Sequence, residues 1–444
     1  QWPRPLRHNL PSFVRQTTDK VARGKLYSLP GGVHKGHEFI LDFSGRPAER
    51  AHAALSAPLM ARASAEYYAS TEAAPGWFAP PKASTGDDEC DWKLAAWNRM
   101  ARNAADPAGD SSIIKARRTG VGGGYWYGWM DFGDLAIGQG RGYGPCNLHY
   151  DWTWVMLVNY LRLGDRAFFD LAGEMARHRM DVDQGWSDRD LLIHRGLQRS
   201  QGARADIHCP RLAYAKPTPA SNWVSGVALY YMLTGEPKAL ETCLRNVQGV
   251  RNAWEADKKK DPYYRMARNM EANAWSILVM CSLHDLTGEK EYLDEALGLF
   301  RANVVPVWRK LGPHLFRAGS QIRGQSYHKE GMKYCYSIQA LCELHHRTGD
   351  KAVLKLLTEG AKKDFPDTFF DAPLHLSSLH AYVGYKTDSE EYLEKAVESF
   401  IEGFPESKSP PVVMPDSSEW SRRAAILLRT GHILQYVHWK RGAK

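Results

Sequence analysis

From Asp151 onward, apolar helical runs alternate with one recurring phrase: a helix end, a Gly or its equivalent, an acidic residue and a new helix. It reads N-Y-L-R-L-G-D-R-A-F-F around Gly164, Y-Y-M-L-T-G-E-P-K-A-L around Gly235 and H-D-L-T-G-E-K-E-Y-L around Gly288. H-H-R-T-G-D-K-A-V-L follows around Gly349, then G-Y-K-T-D-S-E-E-Y-L near Asp388 and L-L-R-T-G-H-I-L around Gly431. Gly just past a helix end permits a left-handed cap, and Thr or Asp opens the next helix. Neighbouring phrases lie 39 to 71 residues apart. Such periods mark helix pairs that must stack to bury their apolar faces. Six turns predict a mainly α protein, a closed ring of helix pairs or (α/α)6 toroid. A tetratricopeptide-type solenoid would need a tighter repeat of about 34 residues.

The first 60 residues follow another pattern. Lys25 to Leu29, the Pro30-Gly-Gly turn and His37 to Phe43 read as strand, turn, strand, with period-2 alternation in the second run. Residues 1–50 are therefore expected to be an N-terminal β-segment, the remnant of a β-sandwich, and 51–444 the toroid. An amphipathic helix is expected from Ala51 to Ala69, then a Pro-rich loop and a helix beginning near Asp91.

Between these parts lies Y-W-Y-G-W-M-D-F-G-D and then N-L-H-Y-D-W-T-W, threaded with glycines from Gly122 to Gly144. Each Gly costs ~1 kcal/mol relative to Ala inside a helix, so residues 120–145 are expected to be a loop. Trp126 and Trp129 offer faces that stack on sugar rings, and Asp131, His149, Tyr150 and Asp151 are suited to proton transfer or hydrogen bonding. A buried loop whose tryptophans are core and whose aspartates cap helices is the alternative.

Composition narrows the ligand class. The 444 residues exceed what one core usually fills. Fifteen Trp and 21 Tyr favour carbohydrate. A net charge of +8 favours an anionic partner, for which an acidic polysaccharide suits both features. The Lys and Arg are spread out and no nucleic-acid-binding motif occurs. Seven cysteines without C-x-x-C give neither a disulfide framework nor a zinc signature. No cofactor and no membrane span are expected. The start, Q-W-P-R-P, does not read as a signal peptide and suits a processed mature end or a piece of a longer chain. The expected location is secreted or periplasmic.

Further candidates follow the first long helix. His178, Asp181 and Asp183 lie within one turn, yet no fourth residue stands at metal-ligand spacing. Asp181 and Asp183 are expected to hold Arg177, Arg179 or Arg189. His208 and Arg211, then Asn222 and Trp223, precede the next apolar helix, and Arg suits carboxylate recognition.

The series Y-G-W-x-D-F-G-D, H-Y-D, A-R-H-x-x-D-V-D with D-R-D, I-H-x-P-R and S-N-x-x-x-G-V-A-L-Y-Y-M-L-T-G-E resembles the toroid region of the exo-rhamnogalacturonan lyase family. G-G-x-H-K-G-H-E-F-I-L-D-F resembles the end of the β-sandwich that precedes it, and the likeness covers about 1–240. It implies β-elimination at a uronate of a pectin-like chain, with Tyr150, His149 and His208 as catalytic residues. Trp126, Trp129, Asp131, Asp151, Arg189, Arg211, Asn222 and Trp223 would then bind substrate. A glycoside hydrolase would instead use two of Asp131, Asp134 and Asp151. A non-catalytic sugar-binding or assembly subunit is the third reading, with β-domains of a longer chain or a partner chain beside it.

Overall fold

The structure is a computed structural model. It describes residues 36, 38–56, 60–71, 78–106, 108, 113, 132–134, 136–139, 142–145, 148, 150–186, 219, 222–258, 269–316, 321–322, 325–326, 335–362, 372–404 and 434–441.

Helices dominate. The first are α1 (Ala48–Ser56), α2 (Ala65–Thr71) and α3 (Asp88–Ala105). Five hairpins follow. They are α4 (Trp152–Leu163) with α5 (Arg166–His178), α6 (Ser225–Thr234) with α7 (Pro237–Lys258), and α8 (Met270–Thr287) with α9 (Lys290–Leu299). After the short α10 (Val305–Leu311) come α11 (Cys335–Thr348) with α12 (Lys351–Ala361) and α13 (Ala372–Thr387) with α14 (Glu390–Gly403). The last helix is α15 (Leu434–Arg441). Two small antiparallel hairpins interrupt the series, β1 (Ala136–Gln139) with β2 (Gly142–Pro145), and β3 (Gln321–Ile322) with β4 (Gln325–Ser326).

The first helix of each hairpin packs on the first helix of the next, in the order α4, α6, α8, α11, α13, α15. These six form an inner ring. Their sequences fit that place, since every position of α4 from Trp152 to Arg162 is buried. The second helices form the outer layer and bury one stripe each. In α12 it is Val353, Leu356, Leu357, Gly360 and Ala361; in α14 it is Leu393, Ala396, Val397 and Phe400. That i, i+3, i+4, i+7 spacing is the signature of a one-sided helix.

The ring closes between its two ends. On α15, Gln435 donates to the Ala69 carbonyl of α2 at 3.1 Å and accepts the Phe78 N–H. α3 completes the outer layer between α14 and α5. Its Lys93 bonds the Ile401 carbonyl at 2.7 Å, and its Asn98 accepts Arg162 of α4 at 2.8 Å. Arg162 also lies over Trp97, 4.2 Å from the ring centre. The fold is the expected (α/α)6 toroid, with the N-terminal α3 supplying the outer partner of the C-terminal α15.

The turn phrase has a full hydrogen-bond explanation. Gly164, Gly235, Gly288 and Gly349 all follow inner-helix ends with φ between 63° and 82°. Asp388 takes the same conformation at φ 56°. The Thr before each later turn bonds back to the carbonyl four residues earlier, as Thr287 does to Leu283 at 2.8 Å and Thr348 to Leu344 at 2.6 Å. The same hydroxyls then accept the N–H two positions on, from Glu289 at 3.1 Å and Asp350 at 3.3 Å. Gly431 lies outside the described residues.

Three sequence expectations need correction. The helix expected over 51–69 is two helices, α1 and α2. The helix expected near Asp91 starts at Asp88, because the Asp87 carboxylate accepts the Cys90 N–H at 2.8 Å. Residues 38–43 form no strand: they have no pairing neighbour among the described residues, and Phe39, Leu41 and Phe43 stand in solvent.

Candidate functional site

The ring has two unlike ends. Short Gly turns join inner to outer helices at one end. The connections that return from an outer to the next inner helix, spanning 106–151, 184–224, 259–269, 312–334, 362–371 and 404–433, are long. All six reach the face where the inner helices begin. Every candidate residue read from the sequence lies on the first two of them in chain order. Trp126, Trp129, Asp131, His149, Arg189, His208 and Arg211 lie outside the described residues.

The described part of this face is built on an unusual turn into α4. Leu148, Tyr150 and Asp151 all have positive φ, at 55°, 73° and 61°. Each such residue costs ~1–3 kcal/mol and persists only where its surroundings over-determine it. Here Asp134 accepts the Leu148 N–H at 3.0 Å, and the Leu148 carbonyl accepts the Asp151 N–H at 3.0 Å. Asp151 then spends both carboxylate oxygens on backbone, on the Trp154 N–H at 3.2 Å and the Gly226 N–H at 3.0 Å. It ties the first turns of α4 and α6 together. A Cβ at position 226 would lie 2.3 Å from the Trp154 nitrogen, so only Gly permits this approach.

Beneath the turn lies a buried polar group. His178, with no exposed surface, has Nε2 3.4 Å from Asp183 and 3.8 Å from Asp134, and Phe132 meets its ring edge-on. Arg179 donates to the Trp223 carbonyl at 3.3 Å and to Gln184. Burial lowers its pKa to about 10, while Asp183 and Asp151 oppose the shift. Asp181 accepts Lys238 and the Gly36 N–H at 2.8 Å, and Arg177 pairs with Glu38 at 3.1 Å. Of the expected partners of Asp181 and Asp183, Arg179 feels the Asp183 charge and Arg189 lies outside the described residues, while the Asp181 and Arg177 contacts pin the segment beginning at Gly36 to the ring. Among the described residues no group of His, Cys, Asp and Glu is arranged to hold a metal ion.

Four candidates are buried where α4 and α6 begin. Tyr150 is 2% exposed, and its ring lies 6.5 Å from that of Trp223. Trp223 in turn packs edge-on against Trp275 at 5.3 Å. Asn222 is fully buried and accepts Asn246 at 2.7 Å. Asp151 is held as described above. In the structure these four side chains pack and cap the starts of α4 and α6. The His178, Asp183, Arg179 cluster was visible in the sequence as A-R-H-R-M-D-V-D, but its arrangement within a π-helical turn, Arg179–Asp183, was not.

No family model matches the sequence, and no curated protein matches it. Among solved structures, the α-1,6-mannanase GH76A of Salegentibacter sp. HEL1_6 is similar at 12% identity and a TM-score of 0.44, covering 76% of this chain and 99% of that one. Inactive variants of the same enzyme, bound to α-1,6-mannotetraose and α-1,6-mannotriose, give TM-scores of 0.44 and 0.43 at the same identity and coverage.

These findings correct the activity expected from the sequence. The similar solved structures are glycoside hydrolases, not lyases. The phenol expected to act in β-elimination is buried against Trp223. The lyase reading, with its uronate and pectin substrate, is withdrawn.

Proposed function

We propose that this chain is a carbohydrate-active toroid of the glycoside hydrolase kind, holding a polysaccharide at the face where the six inner helices begin. One observation supports it most. The connection richest in aromatic and carboxylate residues, 106–151, enters the ring through three strained or capping positions among its last four, Leu148, Tyr150 and Asp151, that fix its exit. Strained backbone of this kind clusters at functional sites.

A hydrolase needs two carboxyl groups that are able to meet a glycosidic bond. Asp151 is spent on backbone N–H groups, and Asp134 is fully buried against the Leu148 N–H and His178. Asp131 is then the first candidate, with an acid of the 187–218 connection, Asp188, Asp190 or Asp206, as its partner. The role of the buried residues where α4 and α6 begin is positioning: they anchor both connections. Action outside the cytoplasm fits a polymeric substrate. Among the described residues, no helix is long and apolar enough to cross a membrane.

The test is incubation with α-1,6-mannan, a neutral β-linked polymer and a uronate-containing polymer, following new reducing ends. Release of saturated products, lost in Asp131→Asn, is the expected result. The commitment of Asp134 and Asp151 to backbone also favours a second reading, a sugar-binding subunit without chemistry. Retained binding with no release from any polymer would select it.

A further inference from the structure

Between α6, α8 and α11 the inner ring carries a second polar group that the proposed site does not use. A cavity between α6, α8 and α11 is lined by Ser225, Ser282, Asp285, Gln339, Glu343 and Arg347 together with apolar side chains. No outer helix contributes to it, so it lies on the side facing the ring axis. Its volume is about 20 Å³, and a water needs roughly 10–15 Å³, so it has room for one water-sized particle.

Charge identifies that particle. Arg347 donates to both oxygens of Asp285, at 2.8 and 2.6 Å, and to Glu343 Oε2. Two carboxylates face one guanidinium, leaving one negative charge uncompensated. Glu343 is 3% exposed, and its second oxygen, Oε1, is buried with no hydrogen-bond partner. An unpaired buried carboxylate oxygen is costly, and the usual remedy is a donor or a cation. The neighbouring Cys281 thiol supplies no charge, because burial raises its pKa to about 12.

We infer that this cavity binds a monovalent cation, held by Glu343 Oε1 with the Ser225 and Ser282 hydroxyls beside it. A divalent ion would leave a net positive charge in the interior. The site's role is to complete the packing of three inner helices, from Ser225 at the start of α6 to Arg347 near the end of α11.

Equilibrium dialysis of the intact chain against Rb⁺ tests this directly. The expected result is one Rb⁺ per chain, displaced by K⁺ and not by choline. Glu343→Gln keeps the shape and removes the charge, so binding should weaken at least tenfold. Ser282→Ala, which leaves the ion-pair network intact, should weaken it several-fold and decides the matter if Glu343→Gln fails to fold. In parallel, the thermal midpoint should rise with KCl above the value in choline chloride at equal ionic strength. No bound Rb⁺, an equal rise in choline chloride, or undiminished binding in the variants would overturn the assignment.

Discussion

The Asp151 carboxylate accepts the backbone N–H of Gly226 at 3.0 Å, across 75 residues of sequence, and so fastens the start of α4 to the start of α6. The same carboxylate caps α4 through the Trp154 N–H. One side chain thus closes the first joint of the inner ring, directly below the connection proposed to carry the site.

Asp151→Ala removes a helix cap, typically ~1 kcal/mol, and leaves the buried Gly226 N–H without a partner, a further ~1–3 kcal/mol. A loss of about 2–4 kcal/mol is expected in urea unfolding. A loss below about 1 kcal/mol would show that the joint is not held as described.

Tyr150→Phe keeps the packing against Trp223 and removes only a buried hydroxyl. Turnover on any substrate found should stay within a few-fold of the parent. A fall of ~10²-fold or more, the lower range for a general acid or base, would return Tyr150 to the chemistry.

The turn mechanism predicts a cost at Gly288, where φ is 74° and nothing lies within 4 Å of a Cβ. Gly288→Ala meets no clash, so its cost is conformational, ~1–2 kcal/mol. A thermal midpoint unchanged from the parent would contradict the left-handed cap.

His345 accepts or donates at 2.7 Å to the Tyr382 hydroxyl, and burial, then the Lys386 and His346 charges, lower its pKa below 6.5. The folded state therefore favours the neutral ring. Its contribution is fully present above pH 6.5 and is lost as pH falls through the lowered folded value. Thermal midpoints measured from pH 8 to pH 5 should fall less steeply in His345→Gln than in the parent. Equal slopes would assign the acid sensitivity elsewhere.

The ring was legible in the sequence because its turns are local events. A Thr, a Gly and an acid fix a hydrogen-bond pattern within four residues, and the Asp388 variant obeys the same geometry. Element ends were less so. The break between α1 and α2 and the start of α3 at Asp88 depend on which contacts win in three dimensions. For the proposed site, the sequence marks a region and not a set of roles. An aromatic or acidic residue just before an inner helix reads alike whether it lines the mouth or floors it. Only the burial of Tyr150, Asn222 and Trp223 by distant elements, such as Asn246 and Trp275, separates the two. The group around Glu343 was hidden for the same reason: its partner Arg347 also holds Asp285, which lies on another helix.

The central claim, hydrolysis at the face where the inner helices begin, is tested most directly by mass analysis of products formed in ¹⁸O-labelled water. Incubation with α-1,6-mannan and the other polymers should yield saturated oligosaccharides carrying one ¹⁸O from the cleavage, abolished in Asp131→Asn. Products lighter by one water with a 4,5-double bond, or labelled products undiminished in Asp131→Asn, would contradict it.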